Sequence, residues 1–177
     1  AWWMGDILGT KDYPSEEKDI TALGKNNVYF LPYLMGERTP HNNPNARGTF
    51  IGMTMDTTRK DMTQAVLEGV AFALRDSFEI AKSLGITLDR IRINGGGAKS
   101  PLWCRIVANV LNVKVDKTNS KEGPAFGAAI LAAVGCGKYA TVEEAAEKLI
   151  KVTDTVEQDP EIVELYNKKY EVFKSLY

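Results

Sequence analysis

The chain has 177 residues, 44% of them hydrophobic and 25% charged, enough for one domain with a buried core. Its 22 Lys and Arg nearly cancel its 23 Asp and Glu, and the net charge of −1 excludes the broad basic surface that nucleic acid or an anionic membrane requires. One histidine, His41, and two distant cysteines, Cys104 and Cys136, supply neither metal-ligand spacing nor a Cys-His nucleophile pair. No metal ligand and no catalytic residue are therefore assigned, and both cysteines are expected to be reduced core thiols of a cytoplasmic protein.

No apolar run reaches the roughly 18 residues of a membrane span, and the opening Trp2-Trp3-Met4-Gly5-Asp6 has neither the basic nor the apolar region of a signal peptide. Without an initiator methionine, the chain reads as a piece of something longer. Trp2, Trp3, Ile7 and Leu8 form the apolar face of a short opening helix ended by Gly9, with both tryptophans as buried anchors. Pro14-Ser15-Glu16-Glu17 opens a second helix to about Leu23, stopped by Gly24. Val28 to Leu34 is an apolar strand that Pro32 confines to an edge or ends early. The polar stretch from Gly36 to Gly48 is too long for a simple turn and is a functional or mobile loop. Within it Glu37 and Arg38 read as an ion pair, and His41 stands alone.

Thr58-Arg59-Lys60-Asp61 is a capping box, with Asp in place of Glu, for a long helix that Gly85 terminates. Met62, Ala65, Val66, Gly69, Phe72, Ala73, Ile80 and Leu84 share one face of it, and the small residues Ala65, Gly69 and Ala73 admit another backbone closely. Ile91 and Ile93 then form a strand that stops at Asn94. Gly95-Gly96-Gly97-Ala98-Lys99 follows, and Ser100-Pro101 opens a helix with Ser as N-cap and Pro at the first position. Its apolar face is Leu102, Trp103, Ile106, Val107, Val110 and Leu111, and Asn112 to Val115 is a second, parallel strand. A ligand of such a strand-helix-strand unit belongs at the carboxyl end of the first strand, where the three glycines lie. Exposed amides and bare backbone there admit a flat or phosphorylated ligand; a plain tight turn is the alternative.

Glu122-Gly123-Pro124-Ala125-Phe126-Gly127-Ala128-Ala129 leads into a small-residue helix, read as packed tightly on the sheet with its N-terminus on the same crevice. Thr141 to Glu144 caps a helix to about Ile150. Asp159-Pro160 caps the last one, whose Val163, Tyr166, Tyr170, Phe173 and Tyr177 form a core-facing stripe. Two motif comparisons fail. Ser100 stands where the last glycine of Gly-x-Gly-x-x-Gly belongs, with only Asp116 as an acid after the next strand, and Ala98-Lys99-Ser100 lacks the glycines of a phosphate-binding loop. The residues alone reach a small-ligand or nucleotide site and no reaction.

Four motifs in this order resemble the C-terminal part of FGGY-family carbohydrate kinases. Gly48-Thr49-Phe50-Ile51-Gly52-Met53, followed by Asp61-Met62-Thr63-Gln64-Ala65-Val66-Leu67-Glu68, resembles that family's C-terminal signature. Tyr33 to Pro44, with Gly36-Glu37-Arg38-Thr39-Pro40-His41-Asn42-Asn43, is similar to its xylulose kinases. Gly95-Gly96-Gly97-Ala98 resembles its adenosine motif, and Glu122 to Ala129 its Gly/Ala-rich helix.

The resemblance implies an α/β fold: part of the C-terminal lobe of the actin-like, ribonuclease H-like ATPase architecture, a mixed sheet flanked by helices. Residues 1–177 would be a single nucleotide-binding lobe, incomplete at its N-terminal side, whose partner is the absent catalytic N-terminal lobe. It also implies ATP and Mg²⁺ as cofactors of the full-length enzyme and a sugar, xylulose, as substrate. Gly95, Gly96, Gly97, Ala98, Lys99 and Pro101 would be the nucleotide-binding residues, while the catalytic base and phosphate loops lie outside the chain. A homodimer is left open. The alternative reading is a non-catalytic actin-like nucleotide-binding or interaction module.

Overall fold

The structure is a computed structural model that describes residues 2–119 and 123–177; Glu122, at the head of the second Gly-rich stretch, lies outside the described residues. In chain order the elements are α1 (Tyr13–Glu17), β1 (Tyr29–Leu31), β2 (Thr49–Ile51), α2 (Arg59–Ser83), β3 (Arg90–Ile93), α3 (Pro101–Leu111), β4 (Lys114–Thr118), α4 (Gly123–Gly135), α5 (Val142–Leu149), β5 (Val152–Val156) and α6 (Pro160–Ser175). A π-helical turn, Trp3–Ile7, precedes them. β1 and β2 pair antiparallel; β3 runs parallel to β4, and β4 antiparallel to β5. This is the mixed α/β arrangement expected from the sequence.

Local chemistry sets the helix boundaries. Thr58 accepts from the Asp61 amide and the Asp61 carboxylate accepts from the Thr58 amide, closing the capping box of α2. Ser100 caps α3 with Pro101 behind it, and Asp159 caps α6 ahead of Pro160. Past α2, Gly85 adopts φ +84°, a left-handed stop open to glycine. Gly69 matters for space instead. A Cβ there would lie 2.0 Å from the Phe30 carbonyl oxygen, so its bare backbone lets β1 lie directly on α2.

The core forms where α2, α3 and α6 meet. Phe72 is surrounded by Tyr166, Tyr170 and Phe173, with ring centroids at 5.9, 6.0 and 5.2 Å. Ile106, Val107, Val110 and Leu111 of α3 join this cluster, together with Val113 and Val115 on the way into β4. Burying such side chains contributes about 1.5–3 kcal/mol each. A polar knot sits beside it. The Glu68 carboxylate accepts from the Gly24 amide, Gln64 Nε2, Tyr166 Oη and Lys169 Nζ at 3.3, 2.7, 3.0 and 2.6 Å. Lys169 also donates to the Asn26 carbonyl and lies over the Tyr29 ring.

Several expectations need correction. Trp3 is buried and donates from Nε1 to Thr63 Oγ1, but Trp2 is exposed and stacks along Phe30. α1 is capped by Asp12, not by a residue of the Pro14 stretch, and stops at Glu17 instead of reaching Leu23. Among its described side chains α4 buries only Ile130, so its small residues form an open face where tight packing on the sheet was expected. Cys136 is exposed, not a core thiol. β5 (Val152–Val156), absent from the sequence reading, pairs antiparallel with β4 and covers its edge.

Asp116 pins this three-stranded sheet. Its Oδ1 accepts from Thr155 Oγ1 of β5 at 2.6 Å, and both its oxygens accept from Arg90 Nη1 of β3 at 2.9 and 2.7 Å. The Thr155 hydrogen bond first, and the Arg90 guanidinium after it, hold the carboxyl below the usual carboxylate range. A depressed folded pKa contributes stability that is present above the unfolded value and lost as pH falls through the folded one. Asp116→Asn is therefore expected to lower stability by about 1–3 kcal/mol at neutral pH, with the gap from the parent constant down to about pH 4 and narrowing as pH falls further, through the folded carboxyl's depressed range. Urea denaturation across that pH range reads it; a gap independent of pH contradicts the assignment.

Candidate functional site

β3 ends at Ile93 and the chain turns sharply. Gly95 has φ +80° and ψ −160°, a conformation closed to residues with a Cβ, and Gly96–Lys99 form one 3₁₀ turn that ends on Ser100. Ser100 Oγ accepts from the Trp103 amide at 2.9 Å and donates to Glu17 Oε2 at 2.6 Å. Behind the turn Cys104, fully buried, points its thiol at the Ala98 carbonyl at 3.8 Å, and burial pushes that thiol's pKa up, keeping it protonated. Beneath the turn lies the indole of Trp103, whose Cδ1 and Nε1 would each stand 3.0 Å from a Cβ on Gly97.

The neighbouring walls are equally defined. Thr118 Oγ1 donates to Asn94 Oδ1 at 2.7 Å, which ties the carboxyl end of β4 to that of β3. Gly123 at the head of α4 approaches the same asparagine, since a Cβ there would lie 3.6 Å from that of Asn94. Two helix starts, those of α3 and α4, thus border the carboxyl end of β3, as the sequence pattern anticipated. Gly95, Gly96, Gly97, Lys99 and Pro101 are exposed and Ala98 is half-buried, so the six residues singled out by sequence lie at the surface around one turn.

That surface is bare backbone with a single cationic side chain, Lys99, which makes no ion pair among the described residues. Such a surface admits close main-chain approach by a flat or phosphorylated ligand. Asp116 is occupied by Arg90 and Thr155 inside β4 and is not free for a ribose hydroxyl. Among the described residues no group of three or more His, Cys, Asp or Glu side chains is placed to hold a metal ion.

Sequence reasoning missed Glu17, Thr118 and the position of Trp103 under Gly97. Glu17 lies 83 residues from Ser100 in the chain, and no local pattern joins them. The loop from Gly36 to Gly48 is organised differently from the expectation: Glu37 does not pair with Arg38 but accepts the amides of His41 and Asn42 at 2.7 and 3.1 Å. His41 is stacked on Tyr177 and stands 4.0 Å from Asp76, at one wall of a separate pocket of 290 Å³. Burial raises the Asp76 pKa, and Tyr170 Oη donates to it at 2.7 Å.

The two glycines that open the turn differ in what they tolerate. Gly95→Ala is expected to lose about 1–3 kcal/mol through its positive φ, whereas Gly96→Ala, with nothing within 4 Å of the new Cβ and no positive φ, stays within about 0.5 kcal/mol of the parent. Chemical denaturation of the two variants decides it; equal losses contradict the described turn.

Comparison with known proteins gives consistent matches. The sequence profile of the FGGY family of carbohydrate kinases, C-terminal domain, matches residues 6–136. A xylulose kinase of Staphylococcus epidermidis is 41% identical over 157 residues, covering 89% of this chain and 32% of that protein. Among solved structures, a xylulose kinase from Brucella ovis superposes with a TM-score of 0.87 at 33% identity over 99% of this chain and 36% of its own. A gluconate kinase from Lactobacillus acidophilus superposes with a TM-score of 0.84 at 26% identity, over 99% and 36%. The chain therefore spans about a third of the length of the curated relatives it matches.

Proposed function

Since the chain belongs to the FGGY family of carbohydrate kinases through their C-terminal domain, we propose that it forms the nucleotide side of an ATP-dependent sugar kinase that converts D-xylulose to D-xylulose 5-phosphate in the cytoplasm. The observation that carries the reading is the exposed turn at the carboxyl end of β3, bordered by the starts of α3 and α4. Gly95, Gly96, Gly97 and Ala98 take the adenine and ribose against bare backbone, and Lys99 and Pro101 line the rim. Xylulose is favoured over other sugars by the 41% identity to a xylulose kinase and by the Gly36 to Pro44 segment, although a gluconate kinase shares the fold.

Phosphoryl transfer depends on placing the phosphates, the metal and the accepting hydroxyl in line, with donors stabilising the charge that develops. The residues of this chain bind and orient the nucleoside. Mg²⁺, when bound, would neutralise phosphate charge, and its carboxylate ligands belong to a partner lobe supplied by the longer protein. That lobe would also bring the base that takes the sugar proton, and closure of the two lobes would exclude water.

Two outcomes follow. Residues 1–177 alone are expected to show no phosphorylation of D-xylulose in a coupled ADP-release assay, and measurable turnover would contradict the division of labour. In the full-length protein Gly97→Val, whose side chain would meet Trp103 beneath the turn and displace the turn's backbone, is expected to raise the ATP KM about tenfold or more with the sugar KM nearly unchanged. Equal changes in both constants would remove the turn from the nucleotide site.

A further inference from the structure

Glu17 closes the short helix α1 and is only 9% exposed, an unusual place for a carboxylate. It is not used by the proposed function. α1 is docked on the start of α2 by an ion pair between Glu16 and Arg59, and Ile20, just beyond it, is buried in the core. This leaves the Glu17 carboxylate against the N-terminus of α3, where Oε2 accepts the Ser100 hydroxyl proton.

A serine hydroxyl has one proton and rotates to suit its surroundings. Here the carboxylate takes that proton, so the oxygen lone pairs are turned to the Trp103 amide that Ser100 caps. The Ser100 amide meanwhile donates to the Gly97 carbonyl at 3.1 Å and closes the turn. Ser100 is thus the joint between the turn and α3, and Glu17 fixes the joint. Glu17 also places a negative charge at the positive end of the α3 dipole, where a bound phosphate would otherwise be favoured.

We propose that Glu17 is a positioning residue of the nucleotide site: it locks the Gly96 to Ser100 turn through Ser100 and sets its carboxylate beside the head of α3, so that the turn meets the uncharged nucleoside end of the nucleotide and not its phosphates. The inference rests on the reading of this turn as the adenosine contact. It adds a residue from an element remote in sequence and a reason for the orientation of the ligand.

The test is steady-state kinetics of the full-length protein, with ATP and D-xylulose varied separately and adenosine and tripolyphosphate as inhibitors competing with ATP. Glu17→Ala is expected to raise the ATP KM and the adenosine inhibition constant about tenfold, while kcat and the sugar KM stay within about twofold and tripolyphosphate binds no more weakly. Glu17→Gln, whose amide oxygen still accepts from Ser100, recovers most of the loss. Ser100→Ala reproduces the Glu17→Ala effect, and the double variant is no worse than the more affected single one, since both remove one joint. Asp159→Ala, which removes the cap of α6, leaves the ATP KM unchanged.

If Glu17→Ala fails to fold, Glu17→Gln and Ser100→Ala carry the comparison. The inference is overturned if Glu17→Ala and Ser100→Ala leave the ATP KM unchanged while Gly97→Val raises it. It is equally overturned if their effects add, or if they shift kcat and both KM values together. Should Gly97→Val also leave the ATP KM unchanged, the nucleotide reading of the turn fails, and the role of Glu17 fails with it.

Discussion

The described part of the molecule depends on what surrounds one buried carboxylate. Glu68 faces inward from α2, and its four donors come from the segment before β1, from α2 itself and from α6. A buried ion pair of this kind adds little net stability over an apolar substitute, because desolvation offsets most of the Coulomb attraction. What it does supply is register. Apolar side chains tolerate sliding along one another, whereas Lys169, Tyr166 and the Gly24 amide reach Glu68 in one arrangement only. With α6 and the Gly24 segment fixed to α2, Gly69 sets the height of β1 and Phe72 fills the aromatic box of α6.

From that frame the site is built outward. α3 packs between α2 and α6 and hides almost all of its apolar face, so the position of its N-terminus is decided by the core. The turn at Gly95 to Lys99 hangs between this fixed helix start and the end of β3, which Asn94 and Thr118 hold to β4. Flexible residue types therefore sit between two rigid supports, the arrangement a surface needs if bare backbone is to keep one shape for a ligand. Glu17 and Cys104 brace the turn from behind, which leaves its outer face free.

Much of this is legible in the sequence because it is local. The Thr58 to Asp61 box, the Ser100-Pro101 start of α3, the Asp159-Pro160 start of α6 and the Gly95 turn are each written within a few residues, where a side chain meets its own backbone. The core stripe of α6 follows from period alone from Val163 to Phe173, but not at Tyr177, which lies past the end of the helix and is exposed. What stays hidden is set by partners far along the chain. β5 carries half-exposed Val and Thr in a run of five whose strand character depends on β4 beside it. The open face of α4 has the composition of a buried helix, and composition does not say what covers it. Glu37 reads in sequence as a partner of the adjacent Arg38, but the loop brings the amides of His41 and Asn42 nearer to its carboxylate. Gly95 to Lys99 stand out as a group because they are contiguous, with Pro101 one residue beyond them, and the bracing from Glu17 does not, since it arrives from α1.

The central claim is that the turn between β3 and α3 holds the nucleoside of ATP. Amide hydrogen exchange on the full-length protein addresses it directly, comparing the free protein with a non-hydrolysable ATP analogue and with D-xylulose alone. The account predicts that the ATP analogue slows exchange in the peptide containing Gly95 to Lys99 while D-xylulose alone leaves it unchanged. Protection of that peptide by the sugar alone, or none with the nucleotide, would contradict it.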